Sequence, residues 1–219
     1  MKDVLNYSIK PLDPPDYSGI FDSFFDDPNI VRDIGLKQLK QHPNIINDNG
    51  KSYPGIRVSL TDKVGCEMVD KITKHLGRKP YGFEASYHLS SSVHSNGLVH
   101  KDVKRYAGVV YLNPEPPKDS GTLFFTLRDD MTEEDIDDTN EFITKRFNEA
   151  STTLDINIIE AFIKIKKKYN DLLFNIEKSI ENVYNRMIIY KGGSIYHCPD
   201  ISFGDSLDDG RLVITFWFD

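Results

Sequence analysis

Apolar and alternating runs occur in two separate blocks of the chain, and both blocks predict β-strands. The first block holds an alternating segment at 81–89, a near-continuous apolar run at 106–112 and a third run at 121–125. The second holds short apolar runs at 187–190 and 211–218, the latter apolar on both faces. A strand of that last kind lies centrally in a sheet covered on both sides, which favours a two-layer β core.

Helical patterns precede the first block. Asp27 is a typical N-cap and Pro28 a typical first residue, so a helix is predicted from there to about Gln41. A second helix is predicted to start at Thr61 and to end before Gly77, a common C-terminal stop. Both helices are expected to support the β core.

A long helical insertion is predicted between the two β blocks. Apolar residues recur every three to four positions over 158–184, which is helical spacing. The stripe suits a helix lying along the sheet, and a lid or a homodimer contact are the alternatives. The expected organisation is one domain, 1–219, with its parts as follows: supporting helices in 1–79, the β core in 80–126 and 186–219, and the helical insertion in 127–185.

Composition and charge exclude several classes of protein. The 219 residues carry a formal net charge of −7 at pH 7, which disfavours nonspecific binding to nucleic acid. No apolar run approaches the roughly 20 residues of a membrane span. The first residues lack an apolar signal region, so we expect a cytoplasmic protein without membrane association. Two cysteines, Cys66 and Cys198, are too few for a disulfide-stapled secreted domain.

The strongest chemical signal is the H-x-D motif His100-Lys101-Asp102, followed far downstream by His197. The motif alone is weak evidence, because short matches arise by chance. In extended backbone, however, residues i and i+2 point the same way, so His100 and Asp102 can face one point. With His197 from another strand they form two imidazoles and one carboxylate. That set is the facial triad of non-haem Fe(II) oxygenases, which leaves adjacent coordination positions open.

Arg211 opens the last predicted strand and shares a strand face with Val213, Thr215 and Trp217. A buried Arg requires an anionic partner. One candidate partner of Arg211 is a nearby acid in the same chain, namely Asp205, Asp208 or Asp209. The other is the carboxylate of a co-substrate, which the guanidinium would bind through two hydrogen bonds. The triad favours the second, with 2-oxoglutarate as the co-substrate.

Further side chains on the predicted strands are candidates for the co-substrate pocket. Tyr87 and Tyr111 lie on strands near the triad and can hydrogen-bond a carboxylate, although packing in the core is the commoner role of Tyr. Trp217 is expected to pack near the metal or the co-substrate, and Val213 lies on the same strand face.

These residues resemble the 2-oxoglutarate and Fe(II)-dependent dioxygenases, in their prolyl-hydroxylase-like branch. The order is similar: an H-x-D motif, a glycine-led strand at Gly121, a distal His and a basic residue. The segments 111–113 and 211–219 resemble strands of prolyl hydroxylases. The segments 25–28 and 53–57 resemble uncharacterised, often phage-encoded members of the superfamily.

The resemblance implies a mainly β fold with α-helices, namely a double-stranded β-helix (jelly roll, cupin-like). It implies Fe(II) held by His100, Asp102 and His197, with 2-oxoglutarate reaching Arg211, and O2 as oxidant; ascorbate is a possible accessory. Decarboxylation to succinate and CO2 would accompany hydroxylation of a C–H bond, in a prolyl residue of a peptide or in a free amino acid. Two alternatives stay open: a non-catalytic cupin-like binding protein, and a zinc hydrolase on the same barrel.

Overall fold

The computed structural model describes residues 19–41, 55–92, 97–136 and 156–219. In this part of the chain the fold is mainly β with α-helices. The strands are β1 (Gly19–Phe21), β2 (Ile56–Ser59), β3 (Glu84–Ser90), β4 (Tyr106–Tyr111), β5 (Thr122–Leu127), β6 (Phe174–Ile180), β7 (Met187–Tyr190), β8 (Tyr196–Pro199) and β9 (Arg211–Phe218). The long helices are α1 (Pro28–Gln41), α2 (Asp62–Leu76) and α3 (Ile156–Leu173).

The strands form two antiparallel sheets. The larger sheet has the order β1-β7-β4-β9-β3-β2, and the smaller sheet has the order β6-β5-β8. β9 lies between β4 and β3, which confirms the prediction of a central last strand. This arrangement is consistent with a jelly-roll-like sandwich, while the connectivity of a double-stranded β-helix stays a prediction.

The two faces of β9 belong to two different cores, as expected for a strand that is apolar on both sides. Its outer face packs under the helices; that core includes Leu39 of α1, Met68 and Ile72 of α2, and Ile214 and Phe216 of β9. Its inner face meets the smaller sheet; that core includes Val213 of β9, Tyr111 of β4, Phe124 of β5 and Ile180 of β6, with Trp217 packed against it. The inner face is therefore the one that lies between the sheets.

The ends of α1 and α2 follow the predicted signals. Pro28 is the first residue of α1, and the Asp27 side chain accepts a hydrogen bond from a backbone N–H of the first turn. Thr61 caps α2, and Gly77 ends it with φ at 67°, a left-handed conformation that glycine adopts without steric cost. Among the described residues, none of the helices combines the length and apolarity needed to cross a membrane.

The prediction of one helix over 158–184 is wrong at its C-terminal end. α3 ends at Leu173, and β6 follows it directly and pairs with β5. Between its buried ends, the side chains of β6 are exposed, so its own pattern does not mark a strand, and pairing with β5 decides its conformation. The segment 127–185 thus contains a strand of the smaller sheet. Residues 137–155 of the predicted insertion lie outside the described residues.

Candidate metal centre

The backbones of His100 and His197 are joined directly to each other. They form an antiparallel bridge, with His100 N donating to His197 O at 3.1 Å and His197 N donating to His100 O at 3.0 Å. His197 belongs to β8 of the smaller sheet, and His100 lies just before β4 of the larger sheet. The bridge brings together two side chains that are far apart in sequence.

Three side chains converge at this bridge, and they are the predicted triad. The candidate ligand atoms of His100, Asp102 and His197 lie within 4.8 Å of one another. The Nε2 atom of His100 is 3.6 Å from Asp102 Oδ1, and the Nε2 atom of His197 is 3.2 Å from Asp102 Oδ2. Metal–ligand bonds of about 2.1 Å place neighbouring ligand atoms roughly 3 Å apart. The observed distances therefore suit a single shared ion.

Each histidine ring is oriented by the carbonyl two residues before it. His100 Nδ1 is 2.9 Å from Leu98 O, and His197 Nδ1 is 3.0 Å from Ile195 O. Because a carbonyl only accepts, each neutral ring carries its hydrogen on Nδ1 and presents an unprotonated Nε2. Metal-binding histidines are held in this way, with the second nitrogen bonded to a fixed acceptor.

Asp102 provides the clearest sign that a cation belongs here. Its Oδ2 is buried and has no hydrogen-bond partner among the described residues. The His197 Nε2 atom faces this oxygen at 3.2 Å. Burial opposes ionisation of Asp102, but the adjacent His100 and His197 outweigh it and hold the pKa of Asp102 well below its usual value. A carboxylate oxygen that is buried without a hydrogen-bond partner calls for an explanation, and a divalent cation bound between it and the two imidazoles would provide one.

Gly192 provides the space for this carboxylate. Its carbonyl accepts a hydrogen bond from Asp102 N at 2.9 Å. A Cβ at Gly192 would lie 2.8 Å from Asp102 Oδ2 and 2.6 Å from the Ala107 side chain. The backbone of Gly192 therefore holds Asp102 from one side, and the absence of a side chain leaves room for its carboxylate.

We expect Gly192→Ala to weaken metal binding about 10- to 100-fold, the range seen when groups that support metal ligands are altered. The added methyl group has to displace the Asp102 carboxylate or strain the contact with Ala107. Calorimetric titration with Mn(II) measures the affinity. Gly65→Ala is the matched control, because a Cβ there meets no atom within 4 Å. Equal Mn(II) affinity in the Gly192→Ala and Gly65→Ala proteins would contradict the assignment.

Arg211 is buried at the start of β9, and its side chain donates hydrogen bonds to backbone carbonyls. Nε donates to Ser120 O at 2.9 Å, and Nη2 donates to Gly121 O at 3.1 Å. The acids considered as ion-pair partners are engaged elsewhere: Asp205 with Ser92, Asp208 with Lys40, and Asp209 with Ser206. No described carboxylate forms an ion pair with Arg211, and its Nη1 has no acceptor in the described part of the chain. The guanidinium is thus fixed by two backbone carbonyls, and its Nη1 atom can still donate hydrogen bonds to a ligand.

Three of the predicted pocket residues lie on the inner face together with Arg211. Tyr111 pairs with Val213 across β4 and β9, and the Arg211 Cζ atom is 5.8 Å from the centre of the Tyr111 ring. The Tyr111 hydroxyl is hydrogen-bonded to Thr122 Oγ1 at 2.7 Å. Trp217 is partly buried at the other end of the same strand face.

The structure places Tyr87 away from the other predicted pocket residues, on the opposite face of the sheet. Its hydroxyl donates to Val31 O of α1 at 2.9 Å, and its ring lies in the core under the helices. Tyr87 pairs with Ile214, which belongs to that core, and the next residue, His88, pairs with Val213 of the inner face. Since side chains alternate along a strand, pairing with β9 directs Tyr87 outward.

Tyr190 belongs to the site and was not predicted. Its ring packs edge-on against the His197 ring, with centroids 4.6 Å apart. Burial raises the pKa of Tyr190 well above its usual value, and the charge of Asp102 adds to this while Arg211 opposes it. The phenol therefore stays a neutral donor within electrostatic range of both groups. The sequence predicted the strand that contains Tyr190, but only the pairing of Tyr190 with Ala107 shows that its side chain faces inward.

Comparisons with known proteins assign a family but no activity. No curated protein matches the sequence. A Pseudomonas putida prolyl-4-hydroxylase is similar in structure, at 14% identity over 91% of each chain and a TM-score of 0.49. The apo Kdo hydroxylase KdoO, a non-heme Fe(II) alphaketoglutarate dependent dioxygenase, is similar at 12% identity over 90% of this chain and 86% of that one, with a TM-score of 0.32.

At such low identities and TM-scores, these two similarities establish neither the detailed fold nor the activity of this chain. None of the comparisons supports the phage-type resemblance. The model of DUF6445, a family of unknown function, matches residues 17–218. The chain therefore belongs to the DUF6445 family.

Proposed function

We propose that the protein is an Fe(II)- and 2-oxoglutarate-dependent oxygenase that hydroxylates a C–H bond of a peptide or a small molecule. One observation carries this proposal: the Nε2 atom of His197 and the buried, unpartnered Oδ2 of Asp102 face each other at 3.2 Å beside His100. That donor set, two imidazoles and one carboxylate, is the one that non-haem Fe(II) oxygenases use. The two sheets would form the double-stranded β-helix of such enzymes.

His100, Asp102 and His197 would hold the iron, which when bound supplies the redox chemistry with O2. Three protein ligands leave coordination positions for other molecules. The His100 side chain is 48% exposed, whereas that of His197 is 6% exposed. We infer that the site opens to solvent on the side of His100, and that a substrate approaches from there.

Arg211 would bind the distal carboxylate of 2-oxoglutarate. The Ser120 and Gly121 carbonyls orient its guanidinium before any ligand arrives, which lowers the entropy cost of binding. Its surroundings are largely apolar, with Val213 and Tyr111 on the same face, and a charge-assisted contact is stronger in such a low-dielectric environment. The neutral hydroxyl of Tyr190 can donate a further hydrogen bond to the co-substrate.

The substrate proposed from the sequence is a prolyl residue in a peptide or a free amino acid. A zinc hydrolase and a non-catalytic binding protein are the competing functions. The buried Arg211 favours the oxygenase, because a hydrolase that uses zinc-bound water does not require a fixed cation for a second carboxylate.

An assay of 2-oxoglutarate turnover separates the three functions. Protein purified without oxygen and loaded with Fe(II) should convert 2-oxoglutarate and O2 into succinate and CO2, slowly without substrate and faster with it. Zinc-loaded protein should form no succinate and is the matched control. Iron-loaded protein that binds 2-oxoglutarate but forms no succinate would indicate a binding protein. Hydrolysis of ester or amide probes by the zinc form alone would indicate a hydrolase.

A further inference from the structure

The inner face of the larger sheet has a polar part that neither the metal ligands nor Arg211 occupy. It lies on β2, β3 and β9, where cross-strand partners share a face: Arg57 with His88, and Ser59 with Ser86 and Thr215. We call these five residues the polar strip. Ser86 Oγ and Thr215 Oγ1 are 3.3 Å apart. Except for buried His88, the strip is partly or fully exposed, whereas the neighbouring half on β4 and β7 is buried.

Arg57 extends across the polar strip towards Trp217. Arg57 pairs with His88 of β3, and His88 pairs with Val213 of β9. Trp217 lies four residues further along β9. Nevertheless the Arg57 Cζ atom lies 5.5 Å from the centre of the Trp217 ring. The two side chains therefore approach each other over the part of the sheet face that holds Ser86 and Thr215.

Arg57 and Arg211 lie on the same face of the larger sheet but in different surroundings. The Arg57 side chain is partly exposed and lies beside the hydroxyl groups of the strip. By contrast Arg211 lies buried among apolar residues and backbone carbonyls. The two cations thus occupy different environments, one suited to a buried co-substrate and one to a ligand that arrives from solvent.

We propose that the polar strip binds the substrate, and that Arg57 binds an anionic group, a carboxylate or a phosphate, carried by that substrate. This inference rests on the proposed function and specifies the substrate class. The planar guanidinium matches both anions with two parallel hydrogen bonds, and the hydroxyl groups of the strip add donors. Trp217 then packs against the carbon skeleton next to the anionic group.

Fluorescence of Trp217 reports on this strip directly, because the chain has a single tryptophan. Protein loaded with zinc, which does not turn over, is saturated with 2-oxoglutarate and then titrated with two matched pairs of probes. N-acetyl-L-proline is compared with N-acetyl-L-prolinamide, and glycerol 3-phosphate with glycerol. We expect the anionic member of one pair to bind at least about tenfold more tightly than its neutral partner, and the responding pair distinguishes carboxylate from phosphate.

Variants of Arg57 test its part in this discrimination. Arg57→Gln should abolish the preference for the anion. Arg57→Lys should keep a part of it, because lysine retains the positive charge but cannot form the two parallel hydrogen bonds of a guanidinium. Arg78→Gln is the matched control, since its guanidinium lies 5.5 Å from the ring of Tyr106, away from the strip. A wild-type protein that fails to distinguish either pair, or an Arg57→Gln protein that still does, would overturn the proposal.

Two further measurements keep this test separate from the proposed function. Calorimetry of zinc and 2-oxoglutarate binding precedes the titrations, and loss of either would count against the oxygenase alone. The probe titrations are repeated on metal-free protein, where Arg57 and Trp217 are unchanged. If the metal-free protein shows the same preference for an anion, anion binding at the polar strip is supported even if the metal assignment fails. If neither form of the protein prefers the anion, the proposed anion binding is refuted.

Discussion

His100→Ala, Asp102→Ala and His197→Ala proteins should each lose metal binding and 2-oxoglutarate turnover while keeping their fold. Each side chain supplies one ligand, and no fourth His, Cys, Asp or Glu joins this cluster in the described part of the chain. Loss of one ligand therefore leaves two, too few for a stable centre. The His100 side chain is half exposed, so its loss should not affect the fold, whereas His197→Ala removes a buried ring that packs against Tyr190 and should lower the stability to a small extent.

Thermal unfolding with and without Mn(II) measures both effects. At a hundredfold excess over Kd, a bound metal adds about 2.7 kcal/mol to the stability of the wild type, and the three variants should gain nothing. His75→Ala is the matched control; that histidine stacks on Phe21 away from the centre and should leave the metal response intact. Wild-type stabilisation by Mn(II) in any triad variant would show that its residue is not a ligand.

Arg211→Ala should weaken 2-oxoglutarate binding about 30- to 1,000-fold, with metal binding retained. Losing a buried charge-assisted contact costs about 2–4 kcal/mol, and each 1.4 kcal/mol is a factor of ten. Arg211→Lys should recover only a part, because an ammonium cannot reproduce the planar fork. Titration of 2-oxoglutarate into zinc-loaded protein measures the Kd without turnover.

The matched control for Arg211 is Arg186→Ala. Arg186 is held by Asp22 through two hydrogen bonds at 2.6 and 3.1 Å, outside the pocket, so its removal should leave the Kd for 2-oxoglutarate unchanged. An unchanged Kd in Arg211→Ala would mean that a different residue holds the distal carboxylate.

The candidate metal ligands could be picked out from the sequence because their residue types and spacing are typical of a metal site. His100 and Asp102 are two positions apart, and His197 follows on a distant strand, so a shared point required only that the two segments meet. The bridge between His100 and His197 is how they meet. Arg211 was predictable for a similar reason, since a charged residue opening an apolar central strand requires a partner.

The residues that the sequence could not place depend on pairing between strands. Tyr87 and His88 are adjacent on β3, and only the register with β9 decides which of them faces the site. Gly192 had no distinguishing pattern, because its role depends on the approach of Asp102 in space. Tyr190 was recognised as part of a strand, but its direction was not.

The secondary structure of β6 could not be predicted from the sequence for the same reason, because it depends on pairing with another strand. Its residues continue the helical spacing of α3, and the strand forms because β5 offers a partner. A consequence follows for the role of 127–185 in substrate entry or dimerisation, which stays a prediction. A deletion that tests it has to stop before Phe174, because removing β6 would expose β5 and the smaller sheet.

Anaerobic calorimetry, with Fe(II) titrated first and 2-oxoglutarate second, tests the proposed site most directly. We expect a single Fe(II) per chain, and 2-oxoglutarate binding that requires both the bound metal and Arg211. Such dependence follows if the co-substrate binds to the open positions on the metal and to the guanidinium at once. An Fe(II)-loaded protein that does not bind 2-oxoglutarate, or a metal-free protein that binds it equally well, would contradict the assignment of an Fe(II)- and 2-oxoglutarate-dependent oxygenase.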